Sequence, residues 1–137
     1  MRKSSHITTL GVDLSNFNKG EYYTRKDIHA TVGGGVQDFL PHKEGVVFCA
    51  CVTPEMNPHL PEVILVGEGV QVQRWAKVFA EQKEYIPLFV KRSPSKWEYL
   101  GNFRVKSISD DAKEIARHKT YSGRTDVVLV LYLERNS

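Results

Sequence analysis

Apolar residues change their spacing several times along the chain, and each change marks a predicted element. Val46-Val47-Phe48-Cys49-Ala50-Cys51-Val52 is a continuous apolar run between Gly45 and Pro54, which predicts a strand buried on both faces; Val63-Ile64-Leu65-Val66 predicts a second. Pro54, Pro58 and Pro61 lie between them, so that segment reads as a rigid, irregular loop. From Val70 to Lys83, Trp75, Val78 and Phe79 recur at helical spacing while Gln71, Arg74, Lys77 and Glu81 take other faces, predicting an amphipathic helix. Tyr85 to Val90 reads as a strand. After a turn at Ser93-Pro94-Ser95, Trp97, Tyr99, Gly101, Phe103 and Val105 alternate with mostly polar neighbours, predicting one long strand with a single apolar face.

The remaining elements announce themselves by their ends. Thr24-Arg25-Lys26-Asp27 fits a capping box, Ile28 and Val32 supply a short apolar stripe, and Gly33-Gly34-Gly35 stops the helix. Ser109-Asp110-Asp111 can cap another helix running to about His118, and Asp126 to Leu133 reads as a closing strand. About five strands and three short helices, with one good crossover helix among them, predict an α+β fold: a curved, partly closed, barrel-like antiparallel or mixed sheet with two or three helices packed on it. Residues 1–20 are polar and without period, and are expected to form an N-terminal arm to a single domain over 21–137.

Composition narrows the class of protein. A chain of 137 residues, 41% hydrophobic and 26% charged, suits one globular core. No apolar run approaches the roughly 20 residues that span a bilayer, and the basic start has no hydrophobic segment behind it, so a cytoplasmic protein is expected. Cys49 and Cys51 fall on the same face of one strand, a poor geometry for a disulfide, and are expected as two buried thiols. The five histidines lack ligand spacing, so neither a metal nor a cofactor is expected. A formal net charge of +3 is too mild to name a partner by itself.

Catalytic signals are thin. Gly67-Glu68-Gly69 before a helix lacks the third glycine of a dinucleotide fingerprint and reads more simply as a turn. Glu81-Gln82-Lys83, with Glu62 upstream, matches half of a metal-dependent nuclease motif; because it falls on a helix, the nuclease reading is kept only as an alternative, and no enzymatic activity is expected of the chain. The informative segment is Lys91-Arg92-Ser93-Pro94-Ser95-Lys96-Trp97-Glu98-Tyr99, where cations sit at a turn beside two aromatics. Cations neutralise phosphates and ring faces stack on unpaired bases, so the mixture suits a nucleic acid. The plainer alternative is a solvated turn whose aromatics belong to the core.

Tyr23-Thr24-Arg25-Lys26-Asp27-Ile28, Gly33-Gly34-Gly35 with Phe39-Leu40-Pro41, Asn57-Pro58 with Pro61, Ile64 to Gly69, Ile86 to Arg92 and Trp97 to Val105 together resemble the non-catalytic module beside HNH nuclease domains in bacterial modification-dependent restriction proteins. The resemblance spans about residues 23–107, and Trp97-Glu98-Tyr99-Leu100-Gly101 is its most specific part. It implies an SRA- or PUA-like barrel acting as the recognition module of a restriction system: a reader of a modified base in double-stranded DNA, with 5-methylcytosine the expected modification and base flipping the implied route. On that implication Tyr23, Phe39, Trp97 and Tyr99 are candidates for stacking on the base, and Gln37, Asp38 and Asn57 for its Watson–Crick edge. Arg25, Lys91, Arg92, Lys96 and Arg104 are the candidates for phosphates. The chain carries no HNH motif, so cleavage is assigned to an HNH domain elsewhere; an RNA- or protein-binding barrel domain is a further alternative.

Overall fold

The computed structural model describes residues 8, 10–35 and 37–136. Its elements run β1 (Tyr22–Tyr23), α1 (Arg25–Val32), β2 (His42–Lys43), β3 (Val46–Val47), β4 (Ala50–Val52), β5 (Val63–Val66), α2 (Val70–Gln82), β6 (Ile86–Ser93), β7 (Lys96–Ser109), α3 (Ala112–Ser122) and β8 (Leu129–Arg135). The main sheet has the order β4-β6-β7-β8-β5, with β4 parallel to β6 and its other pairs antiparallel. β1 pairs with the start of β7, on the edge opposite β6. No pairing among the described residues joins β4 to β5, so the sheet is mixed and open where a partly closed barrel was expected.

Local chemistry accounts for most boundaries. Thr24 Oγ1 accepts from Asp27 N and Asp27 Oδ2 accepts from Thr24 N, the reciprocal capping box read from the sequence. Asp111 caps α3 through the backbone amides of Lys113 and Glu114, and Gly123 ends it in the left-handed region. The expected continuous strand over 46–52 is instead broken at Phe48. β3 turns back through Glu44 and Gly45 to pair with β2, after which the amides of Phe48 and Cys51 donate to the carbonyls of Pro41 and Phe39.

Three buried clusters hold the elements together. The largest fills the space between the sheet and α2, where Phe79 and Ala76 meet Ile64, Leu88, Leu131 and Leu133. On the other sheet face Ile28 and Val32 of α1 pack with Phe89, Trp97, Tyr99 and the two cysteines. Leu14 and Phe17, which belong to the expected N-terminal arm, are buried in this second cluster too. A third lies under α3, around Val127 and Val130.

The long strand β7 departs most from its sequence pattern. Leu88 pairs with Gly101 but Phe89 with Tyr99, so Leu100 is an extra residue, and Gly101 takes a φ of 110° that favours glycine. One extra residue in a period-2 strand reverses which side chains face which way. The apolar stripe expected on one face is therefore divided: Phe103 and Val105 enter the cluster beneath α2, while Trp97 and Tyr99 enter the one beneath α1.

Two histidines are disfavoured as cations. His29 Nε2 accepts from Arg25 Nε at 2.9 Å, leaving its proton on Nδ1 for the Gly33 carbonyl at 2.8 Å, and burial lowers its pKa. Burial likewise lowers that of His118, helped by Arg117 and His59. On acidification below about 6.5 the unfolded chain takes up protons before the folded one does. Stability is thus expected to be fully present above that value and to fall as pH drops; melting temperatures at about pH 7.5 and 5.5 will show it, and a rise on acidification would contradict it.

Candidate nucleic-acid interface

A half-open cleft of about 580 Å³ lies between α2, the end of β5 and the segments 37–42, 52–57 and 124–126. Its floor includes Leu40, Val52 and Leu65. Gln37, Asp38 and Phe39 line it, delivered by the turn that follows the triple glycine. Gly34 is required there: its φ is 80° and a Cβ would come within 2.7 Å of the Pro41 side chain. Thr53 and Met56 extend the same wall.

The opposite wall rests on a clamp that the sequence pattern did not reveal. Arg124 grips Asp126 with two bonds, Nε to Oδ1 at 2.9 Å and Nη2 to Oδ2 at 3.0 Å, and its Nη1 donates to the carbonyls of Met56 and Leu65. That fork holds the Asp126 carboxyl below its usual range, because the guanidinium hydrogen-bonds the charged form. Gly67 lies against the pair, where a Cβ would approach Asp126 Oδ2 to 2.5 Å. The glycine of the Gly67-Glu68-Gly69 turn thus makes room for an ion pair. On α2, Trp75 stacks on His42 with centroids 3.5 Å apart and planes at 14°, and Arg74 lies 5.1 Å from the indole centroid.

Asn57, expected to read a base edge, faces the cleft but is committed to the scaffold. It is 6% exposed, its Oδ1 accepts from Leu65 N at 2.8 Å and its Nδ2 donates to the Thr53 carbonyl. The other three expected aromatics lie away from the cleft lining. Trp97 and Tyr99, each 6% exposed, are in the second core. Burial pushes the Tyr99 hydroxyl up to about 12, and it donates to Asn102 Oδ1. Tyr23 packs edge-on against Phe17 at 4.9 Å and its hydroxyl accepts from Asn18 N. Trp97 and Tyr99 offer no open face, since the Gly101 bulge turns them from the packed α2 side of the sheet to the packed α1 side, and Tyr23 is half-buried beside them. Cys49 and Cys51 are free, buried thiols with Sγ atoms 3.7 Å apart, and burial raises the Cys49 pKa well above the usual thiol value.

The expected phosphate ligands divide into three situations. Arg92 and Lys96 sit around the exposed β6–β7 turn, Arg92 paired with Glu98 at 2.8 Å and Lys96 lying 5.6 Å from the Tyr22 ring. Tyr22, 53% exposed, is an aromatic that the sequence reading missed in favour of its neighbour; strand alternation lets only one of the two face inward. Arg25 has an internal task. Its guanidinium lies 5.0 Å from the Trp97 centroid and Nη2 donates to the carbonyls of Gly35 and Asp38, tying the cleft-lining turn to α1; Lys91 approaches the same indole at 5.9 Å. Arg104 stands apart from both. Seven residues along β7 from Trp97, a distance on the order of 20 Å, it bonds Glu134 at 2.6 Å and covers Tyr85.

Glu81 and Lys83 of the nuclease alternative lie on α2 and at its C-cap, and Glu62 lies just before β5. Among the described residues no three His, Cys, Asp or Glu side chains are grouped as metal ligands would be, and no helix is long and apolar enough to cross a membrane.

Residues 22–119 match a family described as a domain of unknown function (DUF6697). No curated protein matches the chain. Among solved structures it is similar to the SRA domain of SUVH5 in complex with hemimethylated CG DNA, with a TM-score of 0.59 and 13% identity over 88% of each chain. It is similar also to the SUVH5 SRA domain in complex with methylated CHH DNA, again with a TM-score of 0.59 and 13% identity, over 95% of this chain and 93% of that one. At that identity the likeness establishes the fold: the mixed sheet and its helices are SRA-like, as the sequence resemblance implied.

Proposed function

This chain belongs to the DUF6697 family, and we propose that it is a DNA-binding reader of a modified base, taken out of the duplex into the cleft between α2 and the 37–42 turn. The observation that carries the reading is the cleft itself, with an apolar floor and convergent polar groups, in a chain whose fold is that of domains crystallised with methylated DNA. A flipped pyrimidine needs a ring or apolar surface against its face, an acceptor for its exocyclic amino group and cations on the flanking phosphates. Phe39 supplies the first and Asp38 the second, with Thr53 offering a hydroxyl to the same edge. Lys96, Arg92 and the exposed Tyr22 ring supply a cationic, stackable edge on the β6–β7 hairpin for the backbone. 5-Methylcytosine is the simplest ligand of this kind. The protein then acts as the recognition module of a restriction system inside the cell, with cutting done by a separate nuclease domain such as an HNH unit.

Binding measured on duplexes that differ at one cytosine, modified or not, tests the reading. At least about tenfold tighter binding of a modified duplex is expected, with an affinity that falls steeply as salt rises. Lys96→Ala is expected to weaken every duplex alike and to reduce the salt slope by about one. Equal affinity for modified and unmodified DNA at low salt would remove the proposal.

A further inference from the structure

A duplex held at the cleft needs support along its backbone, and the β6–β7 hairpin is one place that offers it. We propose that the outer face of α3 is a second: a strip of Lys113, Arg117 and Tyr121 that contacts the DNA backbone and runs into the wall of the cleft. This rests on the reader function proposed above for its DNA partner, while its own test reads a different quantity.

The strip follows from how α3 sits. Of its residues only His118 is fully buried, so the opposite side of the helix faces solvent. Lys113, Arg117 and Tyr121 succeed one another there at four-residue intervals and are all exposed. They span on the order of 12 Å, enough to meet three successive phosphates of one strand at about 3.4 Å per step. The charge is open to a partner. Among the described residues neither Lys113 nor Arg117 is in an ion pair, whereas Arg92, Arg104 and Arg124 each are. The acids nearby are turned to other work: Glu114 accepts from the Tyr132 hydroxyl, and Asp111 caps the helix at the end away from the cleft.

Tyr121 is 63% exposed, yet its ring is held. His59 meets it edge-on at 5.6 Å with planes at 88°, and His118, fixed by its Nε2 on the Tyr132 hydroxyl, lies 6.5 Å away. An exposed ring that is already oriented costs little to order against a sugar or a base. The same residues tie the strip to the cleft. Gly123 ends α3 two residues later, Arg124 follows with its bond to the Met56 carbonyl, and Met56, itself 48% exposed, lines the cleft on the loop that carries His59.

The test measures affinity across salt for a modified and an unmodified duplex, using the whole protein. Replacing both Lys113 and Arg117 by alanine is expected to weaken the two duplexes alike and to lower the salt slope by about two, with their ratio kept. Tyr121→Ala is expected to cost about fivefold, and Tyr121→Phe much less. Lys106→Ala, an exposed cation on β7, is the control and is expected to change little. An unchanged slope in the double variant, or an equal fall in Lys106→Ala, would overturn the proposal and leave the reader function standing. Should the parent bind both duplexes equally, the reader function fails, and a slope lowered only in the double variant still marks α3 as a DNA surface.

Discussion

Replacing Trp97 with alanine is expected to remove about 3–5 kcal/mol of folding stability, the cost of emptying a large buried aromatic site. The indole is 6% exposed among Phe17, Ile28, Phe89 and Tyr99, and Arg25 and Lys91 lie over it. Its Nε1 is buried with no hydrogen-bond partner among the described residues, so the ring holds its place by packing and by the cations. Denaturant unfolding with an unchanged m-value measures the loss directly. Trp97→Phe, which keeps most of the apolar volume and abandons only the unpartnered N–H, is expected to lose much less. A variant that melts like the parent but no longer binds modified DNA would return Trp97 to the role of a base-stacking ring.

The second large effect is expected at Arg124. Arg124→Ala removes four side-chain hydrogen bonds, two to Asp126 and one each to the carbonyls of Met56 and Leu65, which join the 52–57 wall, β5 and the segment entering β8. Bonds to a charged donor are worth about 1.5–3 kcal/mol each in favourable settings. Asp126 is partly exposed, so screening reduces its share and a loss of about 2–3 kcal/mol overall is expected. A functional loss should accompany the thermodynamic one, because two walls of the cleft lose their common anchor: preference for a modified duplex is expected to fall about tenfold or more. Arg124→Lys keeps the charge but cannot reproduce the fork, and is expected to fall between the two. Full preference in a folded Arg124→Ala protein would show that the clamp does not shape the cleft.

Elements with local signatures are legible in the sequence. The capping box at Thr24, the glycine stop after Val32, the proline-rich loop after Pro54 and the stripe of α2 depend on neighbours within a turn or two, and each lies where the sequence puts it. Gln37, Asp38 and Phe39 have no such local signature; the resemblance implied them, and the structure places them along the cleft. What could not be read depends on distant pairings. The Leu100 bulge is a matter of register between β6 and β7, and without it Trp97 and Tyr99 look like one apolar face with Phe103. Arg124 and Asp126 are two ordinary polar residues in a loop; their meaning comes from Met56, 68 residues earlier in the chain. Arg25 is a phosphate candidate on the family resemblance, while in the structure it donates to carbonyls ten and thirteen residues ahead.

That arginine also joins the protein's two surfaces through a single side chain. The same guanidinium touches the indole that underlies the β6–β7 hairpin and suspends the turn that carries Asp38. A backbone drawn down onto Lys96 and Arg92 would press on one end of this strut, and the displacement would arrive at the mouth of the cleft without any helix having to move. Gripping the strand and admitting the base would then be two ends of one lever, rather than separate events in sequence.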